Sequence, residues 1–268
     1  MLNIMKTLLR ENSGQVVWLS GASSGIGFAL AELLLQKGFR VAVSARRREP
    51  LQKLAAGAPD SGAVLQLPLD VTDREALATA YQTLCSQWQV PDLVIANAGI
   101  SIHMEAADLD YAKLKQINEV NLLAAMSMLQ LPVQDMLQRG SGYLAGVASV
   151  AGYRGLPHAA GYVASKAGLI AFLESLRFDL EPHGIAVSVI NPGFVKTPLT
   201  ERNRFPMPFI ISAEASARAI WRGLKKGRME IHYPPALSLL LKFMRLLPYP
   251  LYHVLVRTGT KGRHQGKV

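Results

Sequence analysis

The chain has 268 residues, 50% of them hydrophobic, 18% charged and 7% aromatic, which excludes wholesale disorder and suits one α/β domain. Its one cysteine, Cys85, excludes an internal disulfide framework and a cysteine-based zinc cluster, and suits a reducing compartment. The net charge is +10. From Arg228 onward, Lys242, Arg245, Arg257, Lys261, Arg263 and Lys267 join that arginine against one acid, Glu230, so the C-terminal end is strongly basic; such a tail is either solvated or attracted to something anionic.

In chain order, the N-terminus has too short an apolar run for a signal peptide and no small-residue cleavage site before Arg10 and Glu11. No stretch supplies the ~20 apolar residues of a spanning helix, so a cytosolic protein is expected. Short apolar runs at 15–20, 40–44, 63–67, 93–96, 143–147, 186–190 and 229–232 read as strands. Segments 25–37, 48–56, 73–88, 110–138, 159–181 and 213–226 have helical length and periodicity. Near-continuous apolar strands that alternate with helices predict a doubly wound parallel α/β sheet of about seven strands, with helices on both faces. Beyond residue 235 an apolar helix and basic tail follow, interrupted by Pro248 and Pro250.

Several short motifs carry chemistry. Ser20-Gly21-Ala22-Ser23-Ser24-Gly25-Ile26-Gly27 joins the first strand to the first helix. Glycines there let the backbone bend and approach a pyrophosphate, and the helix N-terminus offers free N–H groups. Asp73 reads as a helix cap, and Asp70 is open to the same reading. Tyr162 and Lys166 lie four apart on one helical face, thirteen residues after Ser149 at the end of the fifth strand; Asn121 lies upstream in a long helix. Ala96-Asn97-Ala98-Gly99 follows the fourth strand, and Asn191-Pro192-Gly193-Phe194-Val195-Lys196-Thr197 the sixth.

Together, over residues 15 to 234, these motifs resemble the short-chain dehydrogenase/reductase family, with Ser20 in place of its usual threonine and Ala96 in place of its first asparagine. The resemblance implies a Rossmann-type fold over residues 1–235 that binds a nicotinamide cofactor and interconverts a ketone and a secondary alcohol, with no metal. It implies catalytic roles for Asn121, Ser149, Tyr162 and Lys166. Cofactor contacts would come from Gly21, Ser23, Ser24, Gly25, Ile26, Gly27, Asp70, Val71, Asn97, Ala98, Gly99, Pro192, Gly193, Val195 and Thr197, besides Tyr162 and Lys166. An NAD enzyme places an acid at the second strand end; here Ala45 stands in that position, followed by Arg46, Arg47 and Arg48. Arg46 is expected to meet the 2′-phosphate of NADP(H), with Arg47 and Arg48 solvating a helix start. Tyr162 would give or take the substrate proton, with Lys166 and the oxidised nicotinamide favouring its phenolate. The family also implies a homo-oligomer, a dimer or tetramer.

The segments expected to line the substrate pocket contain Tyr153, Arg154, Leu156 and His158, then Ile100, His103 and Met104, then Phe194 and residues 199–211. That composition suits a bulky apolar carbonyl compound, lipid- or steroid-like; Arg154 reads as a contact to an anionic group or as solvent-facing. A 3-oxoacyl-thioester reductase, whose acidic carrier protein suits the basic surface, is the alternative substrate assignment; an NADP-binding regulator without catalysis is the alternative of another class. Nothing in the tail reads as a nucleic-acid motif. Ser238, Lys242 and Arg245 share one narrow stripe of the helix at 236–257, which is expected to touch a membrane surface peripherally, to cap the cleft or to meet a partner subunit.

Overall fold

A computed structural model describes residues 9–201, 203 and 206–260. Lys261, Arg263 and Lys267 of the basic tail lie outside the described residues, as do the first eight residues of the N-terminal run and Arg202, Arg204 and Phe205 of the expected pocket wall. Seven strands, β1 (Val16–Ser20), β2 (Arg40–Ala45), β3 (Val64–Pro68), β4 (Leu93–Ala96), β5 (Gly142–Val147), β6 (Ile185–Pro192) and β7 (Glu230–Tyr233), form one sheet in the order β3-β2-β1-β4-β5-β6-β7. Every pairing is parallel, so the doubly wound Rossmann-type sheet expected from the sequence is the one observed.

The strands are apolar throughout because both faces are buried. Val17 and Leu19 of β1 point into one core, which they share with Leu30 and Leu34 of α1 (Gly25–Gln36), Leu51 of α2 (Arg48–Ala56) and Trp221 of α8 (Ala213–Lys225). Val16 and Trp18 point the other way, toward Leu77 and Leu84 of α3 (Arg74–Gln87), Met128 of α5 (Ala124–Gln130) and Leu173 of α7 (Ala160–Leu180). Trp18 is fully buried, and its indole N–H donates to Ser44 Oγ at 3.0 Å, so no polar atom is stranded there. Three helix starts are held by side-chain caps. Asp73 Oδ1 accepts from the N–H groups of Glu75 and Ala76, Asp110 caps α4 (Tyr111–Asn118) in the same way, and Ser212 caps α8.

The single helix expected over 110–138 is broken twice. A π-helical turn, Glu119–Leu123, separates α4 from α5, with the Ala124 N–H reaching back five residues to the Glu119 carbonyl. After α5, Pro132 ends the run and a new helix, α6 (Val133–Arg139), starts and closes at Gly140 with φ +68. Hydrophobic periodicity cannot register a one-residue slip of this kind, since it leaves both flanking stripes intact.

The C-terminal segment forms two helices, α9 (Pro235–Leu246) and α10 (Tyr249–Thr260), on either side of the break expected at Pro248, whereas Pro250 falls inside α10. The Ser238/Lys242/Arg245 stripe turns mainly inward: Ser238 is fully buried and shares a hydrogen bond with His232 Nδ1 at 2.7 Å, and Lys242 pairs with Glu230. Leu239, Leu240, Phe243 and Leu246 of α9 face outward instead.

Candidate active site

The crevice forms where the strand order reverses, between the C-terminal ends of β1 and β4. The first turn is pressed against β4: Asn97 Nδ2 donates to the Ser20 carbonyl at 3.0 Å, and the Ser20 hydroxyl accepts from the N–H groups of Asn97 and Ala98 at 3.0 and 3.2 Å. The hydroxyl thus explains why serine serves at that position as threonine would. A Cβ on Gly21 would lie 2.7 Å from Asn97 Nδ2, and one on Gly25 2.8 Å from Thr197 Cγ2; both glycines also have positive φ. Unlike α3, α4 and α8, α1 has no side-chain cap on its first-turn N–H groups and no acid there. A bare helix start behind a glycine cradle fits the pyrophosphate of a dinucleotide.

At the end of β2, the Arg46 side chain is 73% exposed, with Nη1 3.8 Å from Asp70 Oδ2. Asp70 itself accepts from the Thr72 N–H and hydroxyl at 3.0 and 2.8 Å, so it shapes the turn beside Val71 and does not cap α3. Arg47, read from sequence as helix-solvating, reaches across to the glycine turn: its Nη2 donates to the Ser23 carbonyl and hydroxyl at 3.1 and 3.2 Å. No local pattern signals that contact, because the two residues are joined only by the β1–β2 pairing.

Asn121, Ser149 and Lys166 are buried and Tyr162 partly so, all four at the same end of the sheet. The π turn carries Asn121, whose Oδ1 accepts from the Ile100 N–H at 2.8 Å while Nδ2 donates to the Ile100 carbonyl at 2.9 Å and to Ser165 Oγ at 3.1 Å. Ser149 Oγ accepts from the Ala151 N–H at 3.1 Å and donates to the Pro192 carbonyl at 3.4 Å. Lys166 Nζ donates to the Val147 carbonyl at 2.7 Å and lies 5.8 Å from the centre of the Tyr162 ring. Burial lowers the Lys166 ammonium to about 8. Burial raises the Tyr162 phenol, and a hydrogen bond with Ser149 offsets part of that rise. In the protein alone, then, burial outweighs the Ser149 hydrogen bond, and the phenol lies above its ordinary value. Past β6, Thr197 abuts the glycine turn, Val195 bridges to Ile211, and the Gly193 N–H donates to the Tyr233 carbonyl at 2.6 Å.

Around these groups, Met104 is buried, and the rings of His103 and His158 stack at 5.3 Å. Among the described residues no group of histidine, cysteine or carboxylates is arranged to hold a metal. Arg154 departs from its expected roles: Nη1 donates to the carbonyls of Met244, Arg245 and Leu247 at 3.0, 3.1 and 2.7 Å, and the guanidinium lies over the rings of Tyr249 and Tyr252 at 4.7 and 4.0 Å. It latches the end of α9 and start of α10 to the segment that follows Ser149.

Residues 15–206 match the family described as short chain dehydrogenase. An uncharacterized oxidoreductase from Myxococcus xanthus is 37% identical over 250 residues, which span 93% of this chain and 99% of the relative. A ketoacyl reductase, HetN, from Nostoc is 33% identical over 224 residues, 82% of this chain and 78% of that protein. Among solved structures, an alcohol dehydrogenase from the archaeon Thermococcus sibiricus complexed with 5-hydroxy-NADP superposes with a TM-score of 0.74 at 25% identity, covering 82% of this chain and 95% of that one. The parallel sheet, the glycine cradle at its switch point and these similarities lead to one conclusion: the chain belongs to the short-chain dehydrogenase/reductase family of nicotinamide-dependent oxidoreductases.

Proposed function

We propose that the protein is an NADP(H)-dependent reductase that converts bulky apolar ketones to secondary alcohols and runs the reverse oxidation. The observation that carries the cofactor preference is the end of β2, where Ala45 replaces an acid and the exposed Arg46 guanidinium has a carboxylate only at 3.8 Å. Such a cation suits a 2′-phosphate, which an acid would repel. Arg47, tied to Ser23, adds a second positive charge beside the same turn. The chain would hold the cofactor through Gly21, Ser23, Ser24, Gly25, Ile26 and Gly27 at the pyrophosphate, Asp70 and Val71 at the adenine, Asn97, Ala98 and Gly99 across the crevice, and Pro192, Gly193, Val195 and Thr197 at the nicotinamide end.

When bound, the cofactor supplies the hydride. The residues of the chain do the rest. The Tyr162 phenol, kept protonated by burial, donates its proton to the carbonyl oxygen of the substrate. The Ser149 hydroxyl, fixed by the Ala151 N–H, orients that oxygen. Lys166 would hold the ribose and pass a proton toward Tyr162, and Asn121, clamped on Ile100 and Ser165, keeps the local backbone in shape for that relay. The apolar side chains of Met104, Leu156 and Phe194, with exposed Leu199, Phe209 and Ile210 nearby in sequence, favour a lipid- or steroid-like carbonyl compound.

The test compares NADPH with NADH on long-chain and cyclic ketones. NADPH is expected to give at least about tenfold higher kcat/KM, and Arg46→Asp to reverse most of that gap, the scale of one charge-assisted contact. Equal kcat/KM with both cofactors would remove the assignment. A second reading, reduction of 3-oxoacyl thioesters, is favoured by the relative named ketoacyl reductase and by the net charge of +10, which suits an acidic carrier. Thioester substrates belong in the same panel, and the preferred class decides between the two.

A further inference from the structure

The outward faces of α9 and α10 have the opposite polarity to that of a helix packed on a soluble core. On α9, Leu237 and Ser238 are buried, whereas Leu239, Leu240, Phe243 and Leu246 are 57%, 51%, 63% and 82% exposed. Their spacing places them on one side of the helix. On α10 the same division recurs: Tyr252 is 7% exposed, while Leu251, Val254 and Leu255 stand at 48%, 59% and 45%. This is a held arrangement. Ser238 and Lys242 have polar partners beneath them in His232 and Glu230, Arg154 latches the junction, and the Tyr252 hydroxyl donates to the Gly155 carbonyl at 2.6 Å. An apolar surface fixed outward in this way marks a docking face.

The charge of this part of the sequence selects the occupant. From Ile231 to the end of the sequence there is no Asp or Glu, and besides Lys242, which pairs inward with Glu230, there are five Lys and Arg: Arg245, Arg257, Lys261, Arg263 and Lys267. Arg245 is exposed beside the apolar face. A second copy presenting the same face would set cation against cation. An anionic bilayer complements both halves, accepting apolar side chains at the acyl boundary and cations at the phosphates. Each helix has 12 residues, about 18 Å, and among the described residues no helix is long and apolar enough to cross a membrane, so the pair would lie in the interface plane. We infer that α9 and α10 form an interfacial docking surface for anionic lipid membranes, fastened by Arg154 to the segment that follows Ser149.

The experiment is co-sedimentation of the full chain with phosphatidylcholine vesicles, with and without phosphatidylserine, at low and high salt. Strong partition onto phosphatidylserine vesicles is expected at low salt, falling at least about tenfold at high salt or without the anionic lipid. Phe243→Glu together with Leu246→Glu should lower partition by a further tenfold or so while NADPH affinity and sedimentation velocity stay unchanged. Should that double variant fail to fold, Arg245→Glu, a single exposed charge reversal, should still weaken partition about tenfold. Absence of binding to phosphatidylserine vesicles at low salt overturns the inference, as does binding indifferent to these substitutions. A double variant that splits an oligomer into smaller species also overturns it, and assigns the face to a second copy.

Discussion

Tyr162 and Lys166 sit four residues apart on the first turns of α7, and burial moves their proton affinities apart, the phenol's up and the ammonium's down. The phenol is raised, so it is protonated at neutral pH, the form that donates to a ketone; the ammonium is lowered to about 8, so it gives up its proton more readily than an exposed lysine. The sign for the reaction follows. Ketone reduction should hold its rate across neutral pH and decline as the phenol deprotonates in alkali, whereas alcohol oxidation, which needs the phenolate, should rise with pH; pH profiles of kcat in both directions check this. Tyr162→Phe should cut kcat by roughly 10²–10⁴-fold, the usual scale for a general acid, with the NADPH dissociation constant nearly unchanged by fluorescence titration. The four residue types and their order are legible in the sequence. Their anchors are not: Asn121 is fixed by the backbone of Ile100 and Lys166 by the carbonyl of Val147, contacts between segments 21 and 19 residues apart that only the folded sheet creates.

Among the elements, α9 is where sequence and structure differ most. Periodicity identifies which residues share a helical face, but it does not say which face is buried. Ser238 and Lys242 turn inward because β7 supplies His232 and Glu230 beneath them. Burial alone would raise the Glu230 carboxyl, but hydrogen bonds from Lys242, Tyr153 and Asn191 outweigh it and hold the group below the usual carboxylate range. A depressed carboxylate contributes stability above its unfolded value and loses it as pH falls through the folded one. The attachment of α9 should therefore loosen in mild acid before the sheet unfolds, seen as hydrogen exchange at residues 235–246 accelerating ahead of β5 and β6, and Glu230→Gln should remove most of that pH dependence. Arg154→Ala deletes three hydrogen bonds to carbonyls and two ring contacts at once. It should cost about 1–3 kcal/mol and expose the α9–α10 junction to protease, while Arg154→Lys, lacking the planar fork, should recover only part of the loss.

For the molecule as a whole, the candidate cofactor site is a seam between separate parts of the chain: the turn after β1, the end of β4 and the segment after β6 meet at Gly21, Asn97 and Thr197. A ligand bound there should stabilise the fold as a unit, by about 2.7 kcal/mol at a hundredfold excess over its dissociation constant. Gly27→Ala, whose added Cβ would meet Asn97 Nδ2 at 2.5 Å, should abolish the NADPH-dependent rise in Tm in a thermal scan. Exposed Tyr111, Leu123 and Phe178 are consistent with the homo-oligomer that the family resemblance implies. The doubly wound parallel sheet was readable because continuous apolar strands separated by helices admit few topologies. The π turn at Glu119–Leu123 was not readable, and it has a counting consequence. It holds one residue more than an α-helical turn, so deleting Val120 alone would restore an uninterrupted α ladder from α4 into α5, with both apolar stripes preserved. The same deletion would swing Asn121 by as much as about 100°, off the backbone of Ile100. At this point the number of residues, more than their identity, aims the side chain, and a family member one residue shorter here would keep every catalytic letter and lose the alignment of one of them.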